Sequence, residues 1–269
     1  MTDAVNVIQV TDLHLLAGRA LLHGVADTSH ALDRAVAHIC AIEARLGGID
    51  AVIVTGDLTD LGEPDAYALV RDALRNLPAP VHVIPGNHDD RATMRAAFGL
   101  PGDATDPIDF VVDHGPVRLI GLDSSVPGHP WGALAPSSLV ALSNAIAEHR
   151  PSLIAVHHPP VLCGIGHMDI QNLRDAEQMA ALVQAAPQDI AFACGHVHRA
   201  MTTKFAGRLL SVSPAPCHAV RLDLRPGASS EFDLEPGGVT LHRWHPAMGW
   251  ASHVILLGPC PGPFPFPTE

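Results

Sequence analysis

The sequence predicts an α/β protein built on parallel strands, and three features lead to that class. Short apolar runs alternate with amphipathic segments long enough to cross back over a sheet. Several runs are apolar throughout, as in strands covered on both faces. Each ends in a small group of Asp, Asn or His residues, and parallel strands place such ends along one edge, where ligands bind.

The first strand reads from Val5 to Val10 and runs straight into Thr11-Asp12-Leu13-His14. In extended chain residues i and i+2 face one side, so Asp12 and His14 can converge. Asp27-Thr28-Ser29 offers an N-cap for a helix whose apolar face is Leu32, Ala35, Val36, Ile39, Ile42 and Leu46, and Gly47-Gly48 stops it. Ala51-Val52-Ile53-Val54 is a second strand, ending in Thr55-Gly56-Asp57. Pro64 opens the next helix, with Ala68, Leu69, Ala73, Leu74 and Leu77 as its stripe. Val81-His82-Val83-Ile84 then leads into Pro85 and Gly86-Asn87-His88-Asp89, and a short helix follows over Arg91 to Phe98.

Phe110–Val112 and Val117–Leu122 read as strands joined by a turn at His114-Gly115-Pro116, with Asp123 ending the second. A loop over Pro127–Gly132 precedes a helix from Pro136 to about His149. Leu153–Val156 is another buried strand, stopped by His157-His158-Pro159-Pro160, after which the loop from Val161 to Ile170 lies over the sheet edge. A helix from about Asn172 to Ala186 and a strand over Ile190–Cys194 lead to Gly195-His196-Val197-His198, whose two imidazoles face one way. Beyond Arg199 the pattern shortens and alternates. Arg208–Val212, Ala219–Leu222 and Val239–Trp244 are expected as one antiparallel edge of a second sheet. The proline-rich tail, Gly258 to Pro267, is expected along the surface, against another subunit.

Composition narrows the function. A chain of 269 residues with 47% hydrophobic and 16% charged residues supports one sizeable core rather than disorder, so a single domain over 1–269 is expected, with residues 1–200 carrying the polar motifs. No apolar stretch approaches the roughly 20 residues a membrane helix needs, and no basic-then-apolar leader opens the chain. The expectation is a cytoplasmic protein without membrane contact. The net charge is −12 and Lys204 is the sole lysine, which argues against a nucleic acid polymer as partner. A small anion stays open, because bound cations can dominate a local field. Cys40, Cys163, Cys194, Cys217 and Cys260 are odd in number and lack any Cys-x-x-Cys pair, so they are expected reduced, without a thiolate zinc site.

The strand ends collect Asp12, His14, Asp57, Asn87, His157, His196 and His198. This mixed set of oxygen and imidazole donors suits Mn, Fe or Zn rather than Ca or Mg alone. One ion cannot use them all, whereas two ions sharing a carboxylate, about 3.5–4 Å apart, can.

The order Asp-x-His, Gly-Asp, Gly-Asn-His-Asp, His, Gly-His-x-His resembles the calcineurin-like metallophosphoesterase family, from Thr11 to about His198. Within it, Gly56-Asp57-Leu58-Thr59-Asp60-Leu61-Gly62 and His157-His158-Pro159-Pro160 look like the class III cyclic nucleotide phosphodiesterases and the related glycerophosphodiesterases. The resemblance implies a four-layer α/β/β/α sandwich of two mixed sheets flanked by helices. It also implies one metal held by Asp12, His14, Asp57 and His198 and a second held by Asp57, Asn87, His157 and His196. No ligand position departs from the family pattern. The implied reaction is hydrolysis of small phosphodiesters, 3′,5′-cyclic nucleotides or glycerophosphodiesters, by a hydroxide bridging the two ions. His88 is expected to protonate the leaving oxygen, with Asp89 orienting it, and Asn87, His88 and His218 are expected to contact substrate. Asp60 is read as a pocket residue or a helix-leading cap, His158 as a support behind the ligands, and His129 and His167 as loop residues. His23 is read as structural or surface. Trp131, Trp244 and Trp250 are candidates for stacking on a base. The competing readings are a phosphomonoesterase or protein phosphatase on the same site, and a non-catalytic scaffold; a homodimer is expected.

Overall fold

The computed structural model describes residues 4–174, 176–258 and 260–266. In chain order its strands and helices are β1 (Val5–Val10), α1 (Thr28–Leu46), β2 (Ala51–Thr55), α2 (Pro64–Leu74), β3 (Val81–Ile84), α3 (Arg91–Phe98), β4 (Phe110–His114), β5 (Val117–Leu122), α4 (Pro136–Ile146), β6 (Ser152–Val156), α5 (Gly166–Asp169), α6 (Ala176–Ala185), β7 (Ile190–Cys194), β8 (Met201–Phe205), β9 (Arg208–Val212), β10 (Ala219–Val220), β11 (Phe232–Asp233), β12 (Gly238–His245) and β13 (Gly249–Leu256). One sheet runs β13-β12-β1-β2-β3, the other β4-β5-β6-β7-β9-β8, and β10-β11 form a separate ribbon. Parallel pairing joins β1, β2 and β3 in the first sheet and β5, β6, β7 and β9 in the second.

Side-chain alternation sorts each strand between two cores. Ile8, Val10, Val52 and Val54 pack with Leu32, Ala35 and Ile39 of α1 and with Tyr67, Val70 and Leu74 of α2. Ile154, Val156 and Phe192 pack with Leu142 of α4 and with Met179 and Val183 of α6. Their neighbours in sequence, Val7, Ala51, Ile53, Leu153, Ala155, Ala191 and Ala193, meet in a third core between the sheets, where the small alanines let the layers approach. Three cores between four layers make the α/β/β/α sandwich.

Local chemistry sets the helix ends. Asp27 accepts from the His30 backbone N–H at 2.9 Å to cap α1, and Gly47 closes that helix in the left-handed region at φ 79°. Asp90 caps α3 through the Thr93 N–H at 2.8 Å. The helix expected to reach His149 ends at Ile146, and the one expected from about Asn172 starts at Ala176; Asp175 lies outside the described residues.

The segment after residue 200 corrects the expectation of one antiparallel edge. β8 and β9 complete the second sheet, with β9 parallel to β7, while β12 joins the first sheet antiparallel to β1 and β13 pairs antiparallel with β12 at its edge. Period-two patterning fixes which face of a strand is buried but not which neighbour it pairs with. Residues 260–266 carry no regular structure, with Phe264 77% and Phe266 93% exposed, and Pro259 and Pro267 lie outside the described residues. Among the described residues no helix is long and apolar enough to cross a membrane.

Candidate metal centre

The carboxyl ends of β1, β2 and β3 meet those of β6 and β7 at one rim, so the site draws on both sheets rather than on one edge. Backbone hydrogen bonds tie the ends together: Asp12 N–H donates to Gly56 O at 3.0 Å and Gly195 N–H to His157 O at 3.0 Å. Asp12, His14, Asp57, His196 and His198 all take positive φ, at 54°, 45°, 50°, 70° and 55°. Non-glycine residues seldom adopt that region, and such strain concentrates where side chains are aimed for a task.

Asp12, His14, Asp57 and His198 bring ligand atoms within 4.8 Å of one another. His198 Nε2 lies 3.3 Å from Asp12 Oδ1, and His14 Nε2 lies 3.5 Å from Asp57 Oδ2. On the other side of Asp57, His157 Nε2 stands 3.4 Å from the same Oδ2 and 3.3 Å from Asn87 Oδ1. The His196 ring is 5.1 Å from that of His157. Asp57 thus stands between two groups of donors, Asp12, His14 and His198 on one side and His157 with Asn87 on the other.

Neighbouring acceptors fix the imidazoles. His157 donates from Nδ1 to Thr55 O at 2.8 Å, and His14 from Nδ1 to Asp60 Oδ1 at 3.0 Å, which orients each ring with Nε2 facing Asp57. The carboxylates are held from the backbone: His196 N–H donates to Asp12 and His88 N–H to Asp57 Oδ1 at 2.9 Å. Close approach requires glycine at two points. A Cβ on Gly86 would lie 2.2 Å from Asp57 Oδ1, and one on Gly195 would lie 2.2 Å from Thr11 Oγ1.

These donors fit a metal pair. Asp12 and Asp57 are 0% and 1% exposed, and among the described residues no Lys or Arg lines the cavity beside them. Burial, with the charge of Asp57, pushes Asp12 up to about 6. Burial would raise Asp57 too, but His157, His88 and His14 around it hold it well below the usual carboxylate range. Burial and the neighbouring His157 depress His196 to about 3, and its Nε2 is buried without a hydrogen-bond partner. Buried anions beside unpaired neutral imidazole nitrogens are what cations satisfy.

Asp89 requires a correction. Its carboxylate does not face His88: Oδ2 accepts from the N–H groups of Gly86 and Leu58 at 3.0 and 3.1 Å, and Oδ1 from the Thr59 N–H at 3.2 Å and the Tyr67 hydroxyl at 2.9 Å. It clamps the turn after β3 to the one after β2. The residue against His88 is Asp60, whose carbonyl accepts from Nδ1 at 2.9 Å and whose Oδ1 is 3.3 Å away. Asp60 therefore links His14 to His88. Burial works against charge on His88, but Asp60 and Asp57 push it up to about 10. Its side chain is 40% exposed, which leaves Nε2 open to the cavity.

The cavity above the rim has a volume of about 510 Å³. His218 forms part of its wall and is only 5% exposed, with its ring 5.4 Å from His14 and 4.5 Å from His198. His167 also lines it, and so does His23, so His23 belongs to the cavity wall rather than only to structure or surface. Phe232, which no motif marks, lines it as well. His158 stands behind the rim, sharing a 2.8 Å hydrogen bond between Nδ1 and Ser124 Oγ. The tryptophans are elsewhere: Trp131 packs between His129 and the Arg174 guanidinium, 3.7 Å away, and Trp244 pairs with Trp250 across β12 and β13.

A sequence model described as calcineurin-like phosphoesterase matches residues 5–200. The chain is 37% identical over 268 residues to a probable glycerophosphodiester phosphodiesterase, GpdQ, of Arcobacter nitrofigilis, covering 98% of this chain and 97% of that one. It is 34% identical over 250 residues to the 3′,5′-cyclic adenosine monophosphate phosphodiesterase CpdA of Pseudomonas aeruginosa, covering 90% and 86%. Among solved structures, a dimetal phosphatase from Danio rerio shares the fold with a TM-score of 0.62 at 13% identity, over 94% of this chain and 99% of that one.

Proposed function

The chain belongs to the calcineurin-like phosphoesterase family, and from that premise we propose that it is a metal-dependent phosphoric diester hydrolase acting on small diesters, 3′,5′-cyclic nucleotides or glycerophosphodiesters. The observation that carries the reading is Asp57, set between two donor groups at 3.5 and 3.4 Å, with His88 beside them at the cavity wall. Asp12, His14, Asp57 and His198 would hold one ion and Asp57, Asn87, His157 and His196 the other, drawn from Mn, Fe or Zn. Bound there, the pair supplies Lewis acidity, neutralising phosphoryl charge and lowering the pKa of water.

The chain's own residues supply the rest. Asp60 and Asp57 push the pKa of His88 up to about 10, which favours the protonated ring that a departing alkoxide needs. Asp60 fixes its ring through Nδ1, so Nε2 is the atom that delivers the proton. Burial and His14 depress His218 to about 3, which makes it a neutral hydrogen-bonding contact for substrate. A diester is favoured over a monoester by charge. The cavity wall carries Asp60 and Glu231 and, among the described residues, no Lys or Arg, so beyond the metals a second phosphoryl charge would meet only the His88 ring. The proposal extends to a cytoplasmic homodimer, supported by the uncharged edge strand Gly249–Leu256.

Hydrolysis of bis(p-nitrophenyl) phosphate against p-nitrophenyl phosphate, after reconstitution with each candidate metal, tests this reading. A preference for the diester is expected. A strong preference for the monoester would place the protein among phosphomonoesterases instead.

A further inference from the structure

A row of rings leads away from the candidate metal centre along the cavity wall. His14, a candidate ligand, has the His218 ring at 5.4 Å; His218 has Phe232 at 5.6 Å; and Phe232 has His23 at 5.4 Å, tilted by 35°. All four residues line the same cavity. The outer pair comes from two unrelated parts of the chain, the loop after β1 and strand β11. Val220, paired with Phe232 across the β10-β11 ribbon, and Leu22 extend this wall with aliphatic surface. The inner members of the row are polar groups suited to phosphate, and the outer members offer a partly exposed ring wall with no cationic side chain.

We propose that Phe232 and His23 are specificity-determining residues that receive a planar heteroaromatic ester arm, a nucleobase, while the phosphate it carries sits at the rim. A flat, polarisable ring gains stacking energy on an aromatic wall, which a short polyol arm does not. The inference deepens the diesterase reading by assigning the part of the cavity that selects among diesters. It places that selection on the β10-β11 ribbon and the loop after β1, so the arm can be discriminated without disturbing the ligand-bearing strand ends.

The test measures binding, so it does not depend on turnover. Inorganic phosphate, ribose 5-phosphate and adenosine 5′-monophosphate are titrated calorimetrically into the manganese-reconstituted full chain. The monophosphate nucleotide is expected to bind about 10-fold more tightly than ribose 5-phosphate, the increment of one base stacked on an aromatic ring. Phe232→Ala should remove most of that advantage, Phe232→Tyr should restore it, and His23→Ala should reduce it in part. Affinity for inorganic phosphate in each variant reports the integrity of the rim. Equal affinity for the two sugar phosphates in the unmodified protein, or an advantage that survives Phe232→Ala, overturns the assignment. So does a parallel loss for all three probes that Phe232→Tyr fails to reverse. If the base-dependent advantage follows Phe232 while no diester is hydrolysed with any metal, the ring wall stands and the diesterase reading falls.

Discussion

Asp60 and Asp89 lie close together in space, and replacing each by Asn should separate orientation from scaffolding. In Asp89 each oxygen serves a different pair of donors, Gly86 and Leu58 N–H on Oδ2 and Thr59 N–H and Tyr67 hydroxyl on Oδ1. Whichever oxygen becomes an amide NH₂, two donors lose a charged acceptor and face another donor. At about 1.5–3 kcal/mol for each such bond, Asp89→Asn should cost roughly 3–6 kcal/mol of stability, a large part of an ordinary domain's margin. Asp60 has no comparable clamp, since among the described residues its carboxylate meets the two imidazoles alone. Asp60→Asn should cost about 1 kcal/mol or less but lower kcat about 10–100-fold, as loss of an orienting group behind a ligand does. Its pH dependence carries a sign. Asp60 helps raise His88, so removing its charge should move the basic limb of the kcat profile to lower pH. Urea unfolding and kcat profiles of the reconstituted variants measure both effects. If Asp89→Asn abolished turnover at unchanged stability while Asp60→Asn altered neither kcat nor its profile, the reassignment of these two carboxylates would be refuted.

Two further outcomes follow from geometry. Gly86→Ala would place its Cβ 2.2 Å from Asp57 Oδ1, so elemental analysis of purified protein should show loss of metal from both positions, because both share that carboxylate; full metal content would contradict the shared role. His242, buried and depressed to about 3, is neutral in the fold but titrates near 6.5 when unfolded. Below 6.5 the unfolded chain binds the extra proton, so stability should fall as pH drops towards about 3, and His242→Gln should flatten that slope by up to about 1.4 kcal/mol per pH unit, as read by unfolding at stepped pH.

The first two hundred residues were legible because two periodicities and a rule of topology act there together. The apolar runs of β2, β6 and β7 announce cover on both faces, and α1 is readable from Asp27, its apolar face and Gly47. The candidate ligands were legible because parallel strands deliver their ends to one rim. Pairing partners were not: β9 and β12 have similar half-apolar patterns yet join different sheets, and nothing local distinguishes them. Asp89 and Asp60 show a second limit. Adjacency in sequence suggested that Asp89 serves His88, but the turn points the two side chains apart, and the acceptor comes from the turn after β2, 28 residues earlier. Phe232 and His23 sit in segments without a motif, and only the folded wall brings them together. Residue types at strand ends are local information, whereas a cavity wall is not.

A site divided between two sheets needs those sheets held in fixed register, since ligand geometry tolerates little displacement. Sheet faces packed through Ala and Val side chains are non-directional and do not supply that by themselves. Gln9 supplies a directional link. Buried at 0% exposure in β1, it donates to Thr55 Oγ1 at 2.7 Å in β2 and to Cys194 O at 2.8 Å in β7 of the other sheet, and its Oε1 accepts from His242 Nε2 at 2.9 Å. Thr55 and Cys194 each stand one glycine before a candidate ligand, Asp57 and His196, and Gln9 itself precedes Asp12 closely in sequence. One buried amide therefore pins three of the strand ends that carry the rim. The depressed His242 belongs to the same arrangement: protonated, it would leave an uncompensated charge at the junction of the sheets, so the group that makes the fold acid-sensitive is also one that holds its two halves in line.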